Sequence, residues 1–178
     1  MTDATHYGGA VSEDPLVDAS ALVSEAMTKS GIIWVDIPGD RAWPVWHVWI
    51  EGTAYVVSGP GEQDLPWLPP EVRLVLRSRD TGGRLVTVRA VTKVLEPGTA
   101  EWTAAAEALR AERLNARDDS LTRWAESCTI TALHPFDAPL EAPGGYAADD
   151  RRTLAPDTPA TTQAWRPWHW RGRGRPRA

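Results

Sequence analysis

Apolar residues dominate residues 43–50 and alternate between two faces when they are read as a β-strand. One face carries Trp43, Val45, His47 and Trp49, and the other carries Pro44, Trp46, Val48 and Ile50. Because neither face is polar, we expect both to be covered. A short turn containing Gly52 follows, so residues 42–50 and 54–58 together predict a β-hairpin.

The remaining pattern predicts helices at both ends of a group of strands. A helix over residues 15–30 begins at Asp14-Pro15 and ends before Gly31, and a second over 100–115 is capped by Thr99. Further strands are predicted at 32–37, 72–78, 85–95 and 124–134. Residues 59–70 are too rich in proline and glycine for regular structure.

Consecutive strands joined by hairpins favour an antiparallel sheet, and a sheet with this many strands is expected to curl into a small barrel. The predicted fold class is therefore mainly β with flanking helices, arranged as an antiparallel β-barrel. We divide the chain into a disordered leader (1–14), a barrel domain (15–135) and a Pro/Gly-rich linker with a basic, irregular Trp/Arg tail (136–178).

Composition indicates a cytoplasmic globular protein. A chain of 178 residues has room for one domain with a sizeable core. Its single cysteine, Cys128, excludes an internal disulfide and fits a reducing compartment. The polar leader lacks the apolar core of a signal peptide, and no apolar run approaches the roughly 20 residues of a membrane helix. We therefore expect no contact with a membrane.

Charge is unevenly distributed along the chain. Residues 151–178 contain seven arginines and one acid, whereas the whole chain has a net charge of −5. Within this tail, Arg173-Gly174-Arg175-Pro176 is similar to the core of an AT-hook, which binds the minor groove of A·T-rich DNA. The acidic body argues against nucleic-acid binding, so a tail that docks on the body or stays disordered is the favoured interpretation.

Three segments and the element order carry a resemblance to a known family. They are Pro44-Val45-Trp46-His47-Val48-Trp49, residues 55–61, and Arg123-Trp124 followed by residues 128–135. Over roughly residues 15–135, the chain resembles the FMN-binding split-barrel superfamily. That group includes pyridoxamine 5′-phosphate oxidases and oxidoreductases that depend on flavin or deazaflavin. The resemblance implies a split barrel, a homodimer with two equivalent cofactor sites at the subunit interface, and a small-molecule substrate.

The resemblance also implies which residues would contact FMN or a deazaflavin. Arg41 stands where oxidase members have a phosphate-contacting arginine, and Ser58 stands where they have a small hydroxyl residue. The full set of candidate cofactor contacts is Arg41, Trp46, Ser58, Gly59, Gly61 and Gln63. Trp46, Glu62 and Gln63 replace basic residues of the family pattern, and an acid beside a phosphate repels it.

Other conspicuous residues have simpler explanations. His47 could ligate haem, but no second ligand lies at metal-site spacing, so a packed histidine with one hydrogen-bonded ring nitrogen is favoured. We predict no metal site. Trp43 and Trp49 are assigned to packing, whereas Trp46 and Trp67 are candidates for stacking against a flat ring.

Two functions follow from these observations. The first is a flavin- or deazaflavin-binding oxidoreductase in which the cofactor supplies the chemistry, which explains why no catalytic residue stands out. The second is a cofactor-free split barrel that binds another molecule, which Glu62 and Gln63 favour. The resemblance favours the first.

Overall fold

Seven strands form one antiparallel sheet in the computed structural model, which describes residues 19–79, 81–113 and 119–146. The strands are β1 Ile32–Asp36, β2 Ala42–Trp46, β3 Val48–Ile50, β4 Thr53–Ser58, β5 Glu71–Arg77, β6 Arg84–Val94 and β7 Thr129–Glu141. The helices are α1 Ala19–Lys29, α2 Ala100–Glu112 and α3 Ser120–Ser127. Within these residues, no helix has the length and apolar character that a membrane crossing needs.

The sheet is closed by one segment of the chain that serves both of its edges. The strand order is β2-β1-β5-β6-β7-β4-β3, so β2 and β3 are the two outermost strands. Only His47 separates them in sequence. The two edges must therefore meet at this residue, and the sheet curls into a barrel that is split there. The predicted mainly β fold, an antiparallel split barrel with flanking helices, is confirmed.

The prediction of one uninterrupted strand over residues 42–50 is wrong. β2 pairs with β1, with Ile32 opposite Trp46, and only β3 forms the predicted hairpin with β4. At the break, the Gln63 side chain bonds the peptide groups of Trp46. The His47 ring meets the carbonyl oxygen of Met27 in α1. These contacts replace the ladder hydrogen bonds that an unbroken strand would make.

Two apolar cores cover the two faces of the sheet, as the alternation over residues 43–50 predicts. The inner core fills the barrel, where Val45 packs with Ile33, Leu74 and Val56, and α1 contributes Val23, Ala26 and Met27. The outer core lies between the sheet and helices α2 and α3, where Val48 packs with Trp102, Leu109 and Trp124. Trp43 and Trp49 pack against the inner core, and Trp46 packs against the outer core.

The last predicted strand, over residues 124–134, is wrong at both ends. Ser120 and Trp124 are buried one helical turn apart, so the segment before Cys128 forms α3. The strand begins at Thr129 and continues to Glu141, which shows that the irregular structure expected for residues 136–141 is also wrong. Pairing with the long β6 continues past both prolines of the strand. Pro139 lies in a bulge, whereas Pro135 stays in register opposite Ala90.

The other predicted elements are confirmed to within a few residues. Thr99 caps α2, because its hydroxyl accepts a hydrogen bond from the Trp102 amide at 3.2 Å. β5 and β6 form the predicted antiparallel hairpin. Several predicted features lie outside the described residues. They are the leader, the Asp14-Pro15 helix start, Asp80 of the turn, residues 114–118 and the basic tail with its AT-hook-like motif.

His47 is a packed histidine inside the barrel. Its Nε2 lies 3.2 Å from the Met27 carbonyl oxygen and therefore donates a hydrogen bond, and its side chain is buried. Burial lowers the pKa of His47 from the ordinary 6.5 to about 4, although the hydrogen bond to Met27 opposes this shift. The folded protein therefore favours the neutral form of the His47 ring.

We expect the free energy of unfolding to fall as the pH is lowered through the window from 6.5 to about 4. In this window His47 binds a proton in the unfolded chain and not in the folded protein, so the loss reaches about 3 kcal/mol at its acid end. Urea unfolding of His47→Gln should lack this component, because glutamine keeps a donor for Met27 and does not titrate. His134→Gln, which alters a contact with Thr53 instead, should keep it. Identical pH profiles for the wild type and His47→Gln would contradict the assignment.

Candidate functional site

Five of the six candidate cofactor residues meet at one end of the barrel. The backbone of Ser58 forms an isolated bridge with Gln63, and the Gln63 side chain reaches Trp46. Gly59 and Gly61 lie between them in the same loop. Arg41 is not part of this group, because it precedes β2 and lies about 16 Å from Trp46 along an extended strand.

Arg41 is placed on a neighbouring tryptophan. Its guanidinium stacks over the Trp43 ring at 3.9 Å from the ring centre. The Asp40 carboxylate accepts hydrogen bonds from the Arg41 amide and from the Trp43 indole, and these bonds lower the pKa of Asp40. Arg41 itself is exposed, so it could still meet a ligand, but a ligand held there would be far from the loop 59–63.

The amide of Gln63 acts as a substitute peptide group at the break in the barrel. Its nitrogen donates to the carbonyl oxygens of Trp46 and Val57, both at 3.0 Å, and its oxygen accepts from the Trp46 amide at 2.8 Å. Both polar atoms of the side chain are therefore engaged within the protein. Gln63 holds β2 against the end of β4.

Glu62 is buried between the ends of two helices. Its carboxylate accepts from Arg123 at 2.6 Å and from the Trp124 indole at 2.7 Å, and it pairs with Arg113 on its second oxygen. The side chain has no exposed surface. Glu62 stands in the loop where the family resemblance implies a basic residue, and in the structure it neutralises two arginines. We call Glu62, Arg113, Arg123 and Trp124 the Glu62 cluster.

The same two arginines close the loop from outside. Arg123 donates to the Pro60 carbonyl oxygen at 2.7 Å, and Arg113 donates to the Gly61 carbonyl oxygen at 3.3 Å. A side chain at Gly59 would lie 3.0 Å from the Cα atom of Cys128, and one at Gly61 would lie 3.2 Å from Arg123. The space that a side chain would occupy at either glycine is thus filled by the protein.

An open, tryptophan-lined surface lies beside this loop on the outer face of the sheet. Ile32 is directly opposite Trp46, and Trp34 follows two residues after Ile32 on the same face. Ile32 is 45% exposed, and both tryptophans are partly exposed. We call Ile32, Trp34 and Trp46 the outer platform. It offers an apolar surface against which a flat ring could stack.

A cleft of about 1030 Å³ lies next to the outer platform and includes two of its three residues, since Trp46 does not line it. Ile32 and Trp34 line it together with three cations, Lys29, Arg77 and Arg79. The Arg77 guanidinium lies 5.3 Å from the centre of the Trp34 ring. Among the lining residues that the structure describes, one is acidic. It is Glu25, which pairs with Lys29 at 2.5 Å. The cleft therefore combines an aromatic wall with an excess of positive charge, a combination that suits a flat anion.

Sequence reasoning did not identify Trp34, Lys29, Arg77 or Arg79. The alternation over residues 32–36 does place Ile32 and Trp34 on one face, opposite the buried Ile33 and Val35. The proximity of the β5–β6 turn to β1 follows from the sheet order, which the sequence did not reveal.

The chain is similar in fold to several solved structures. No family model matches it, and no curated protein matches it. It is similar to HutZ, a heme storage protein from Vibrio cholerae, with 13% identity and a TM-score of 0.49 over 68% of this chain and 92% of that one. It is also similar to a Listeria innocua protein described as a pyridoxamine 5′-phosphate oxidase, with 14% identity and a TM-score of 0.46 over 66% and 94% of the two chains. The chain is also similar to an F420 reductase, with 13% identity and a TM-score of 0.37 over 64% of this chain and 93% of that one.

We predict that the Glu62 cluster is needed for stability. Glu62→Gln leaves two partly buried guanidinium groups without a carboxylate and should lower the free energy of unfolding by about 3 kcal/mol. Urea denaturation measures the change. Glu101→Gln is the matched control, because Glu101 pairs with the exposed Lys93 and such surface pairs contribute at most about 1 kcal/mol. Equal effects of the two substitutions would show that the Glu62 cluster is not a structural element.

Proposed function

We propose that this protein binds a flavin or deazaflavin on the outer platform and acts as an oxidoreductase on a small-molecule substrate. The observation that carries the proposal is the continuity between the outer platform and the cationic cleft. The ring system would stack on Trp34 and Trp46, and the anionic substituent would extend toward Arg77 and Arg79. The resemblance of the sequence to flavin- and deazaflavin-dependent split barrels supports the same cofactor class.

The residues present match the chemistry of such a cofactor. A tryptophan surface stabilises a flat ring, and arginines bind phosphate or carboxylate groups through paired N–H donors. A cleft of about 1030 Å³ is at the upper end of small-ligand sites, which suits a ligand with a ring and an extended tail. When bound, such a cofactor supplies hydride transfer, while the protein supplies binding and orientation.

The positions of the phosphate contacts differ from those implied by the resemblance. Gln63 is engaged with β2, and Glu62 is engaged with Arg113 and Arg123. In the proposed arrangement Lys29, Arg77 and Arg79 take over the anionic group. Contacts of the cofactor with Arg41, Ser58, Gly59 and Gly61 stay predictions.

We further propose that the protein is a cytoplasmic homodimer that covers the outer platform with a second copy. Ile32 leaves almost half of its surface in water and is next to two partly exposed tryptophans. An apolar patch of this kind commonly marks an interaction site. A two-fold interface is the commonest arrangement for identical chains, and it would exclude water from the bound ring.

A cofactor-free binding protein is the second candidate function. Its specific support is the loop 59–63, which the protein closes with its own side chains. In that case the outer platform would serve protein contacts alone. A haem-binding function has less support, because His47 faces α1 inside the barrel and donates to Met27.

Visible absorbance of the purified protein distinguishes the two candidates. We expect flavin or deazaflavin bands, either as purified or after reconstitution with FMN or with a deazaflavin. Replacing both Arg77 and Arg79 with serine should weaken binding at least about tenfold, because each charge-assisted contact contributes roughly 1.5–3 kcal/mol. Arg110→Ser removes an equally exposed cation from α2 and should leave affinity unchanged. A folded protein that stays colourless after reconstitution would favour the cofactor-free function.

Sedimentation equilibrium tests the dimer. Ile32→Glu should shift the protein to a monomer, because it introduces a charge at the centre of the proposed interface. Leu140→Glu is the matched control, since Leu140 is 46% exposed and lies on β7 away from the outer platform. A wild-type monomer at micromolar concentration, or an unchanged dimer in Ile32→Glu, would refute the proposed interface.

A further inference from the structure

A second groove lies beside α1, apart from the cationic cleft. It has a volume of about 490 Å³ and is lined by Ser20 and Ser24 of α1, Trp49 of β3 and residues 135 and 137–139 of β7. The groove and the cleft have no lining residue in common. The groove is therefore a separate site.

A large bulge in β7 forms one wall of this groove. Thr87 of β6 pairs with Glu141, whereas Arg89 pairs with Phe136. Four residues of β7, numbered 137–140, thus oppose the single residue Val88. Within the bulge, Asp137 has a φ of +57°, which non-glycine residues rarely adopt. Bulges of this kind redirect side chains and are frequent beside binding sites.

The floor of the groove is apolar and its rim is polar. Val23 and Val88 are buried beneath it, and Trp49 contributes an indole whose nitrogen donates to the Ser24 hydroxyl at 3.2 Å. Pro135 and Pro139 add further apolar surface. The volume falls within the range of sites for small organic ligands.

The charge on this rim is negative. Asp137 pairs with Arg89, and Arg89 also lies 3.7 Å from Glu71, so two carboxylates share one guanidinium. A carboxylate can accept about four hydrogen bonds, so the pairing with Arg89 leaves Asp137 able to accept from another donor. Among the lining residues that the structure describes there is no cation.

We propose that this groove binds a small organic amine with an apolar body. The ammonium group would donate to Asp137 and lie near the face of Trp49, while the apolar body would cover Val23 and Val88. The charge complementarity selects a cation, and the apolar floor selects against a simple metal ion. The site is independent of the proposed cofactor.

The experiment uses the full chain and two probes of matched size, 2-phenylethylamine and 3-phenylpropionate. We expect saturable binding of the amine at millimolar concentration, followed by tryptophan fluorescence and by ligand-observed NMR, and no binding of the carboxylate. Asp137→Asn should weaken amine binding at least about tenfold, because it removes the charge from the acceptor. Asparagine tolerates the left-handed backbone conformation at this position.

Glu107→Gln is the matched control. It removes an exposed carboxylate from α2 and does not line the groove, so amine affinity should be unchanged. Ala138→Phe is a second variant at an exposed position, and it should block the groove without altering charge. Equal affinity of the amine for wild type, Asp137→Asn and Ala138→Phe would overturn the proposal. Equal binding of the two probes, or no saturable amine binding, would overturn it as well.

Discussion

The fold depends on one segment, residues 42–50, that forms both edges of the sheet and is broken at His47. At such a break the peptide groups of the chain lose their strand partners, and buried groups without partners are costly. The Gln63 amide resolves this by bonding both polar groups of Trp46 and the carbonyl oxygen of Val57. His47 meets the carbonyl oxygen of Met27 from the inner side, so α1 is tied to the same point. Barrel closure, helix placement and the path of the loop 59–63 therefore follow from a single discontinuity.

That constraint also explains why the loop after β4 is structural. To place Gln63 beside Trp46, the loop must turn sharply, and it does so through Gly59 and Gly61, which both have positive φ angles. The Glu62 carboxylate is then directed under the outer core, where Arg113, Arg123 and Trp124 surround it. A loop that holds the barrel together in this way has little freedom to bind a phosphate. The open surface next to this loop is the outer platform, to which our proposal assigns the cofactor.

The sequence predicted those features that depend on local pattern. The two-sided character of residues 43–50, the Thr99 cap and the hairpin of β5 and β6 follow from periodicity and turn residues. The break at His47 could not be predicted, because the alternation of faces continues through it. The sequence predicts Trp124 as the first residue of a strand, whereas it lies in α3. The helical spacing of the buried Ser120 and Trp124 spans only the two turns of this short helix. The cationic cleft could not be predicted either, since Lys29, Arg77 and Arg79 come from elements that only the sheet order brings together.

The two proposed sites beside α1 differ in charge, and the helix opposes the anion proposed for the cleft. A helix carries about half a negative charge at its C-terminus, and α1 ends at Lys29, which lines the cleft. An anion in the cleft is thus opposed by the helix, and three cations against one acid outweigh that effect. In the groove, Asp137 and Glu71 share the guanidinium of Arg89, so negative charge is in excess there. Ligand selectivity at both sites therefore depends on charged side chains at the surface, and substitutions of these side chains should alter binding without disturbing the closure of the barrel at His47.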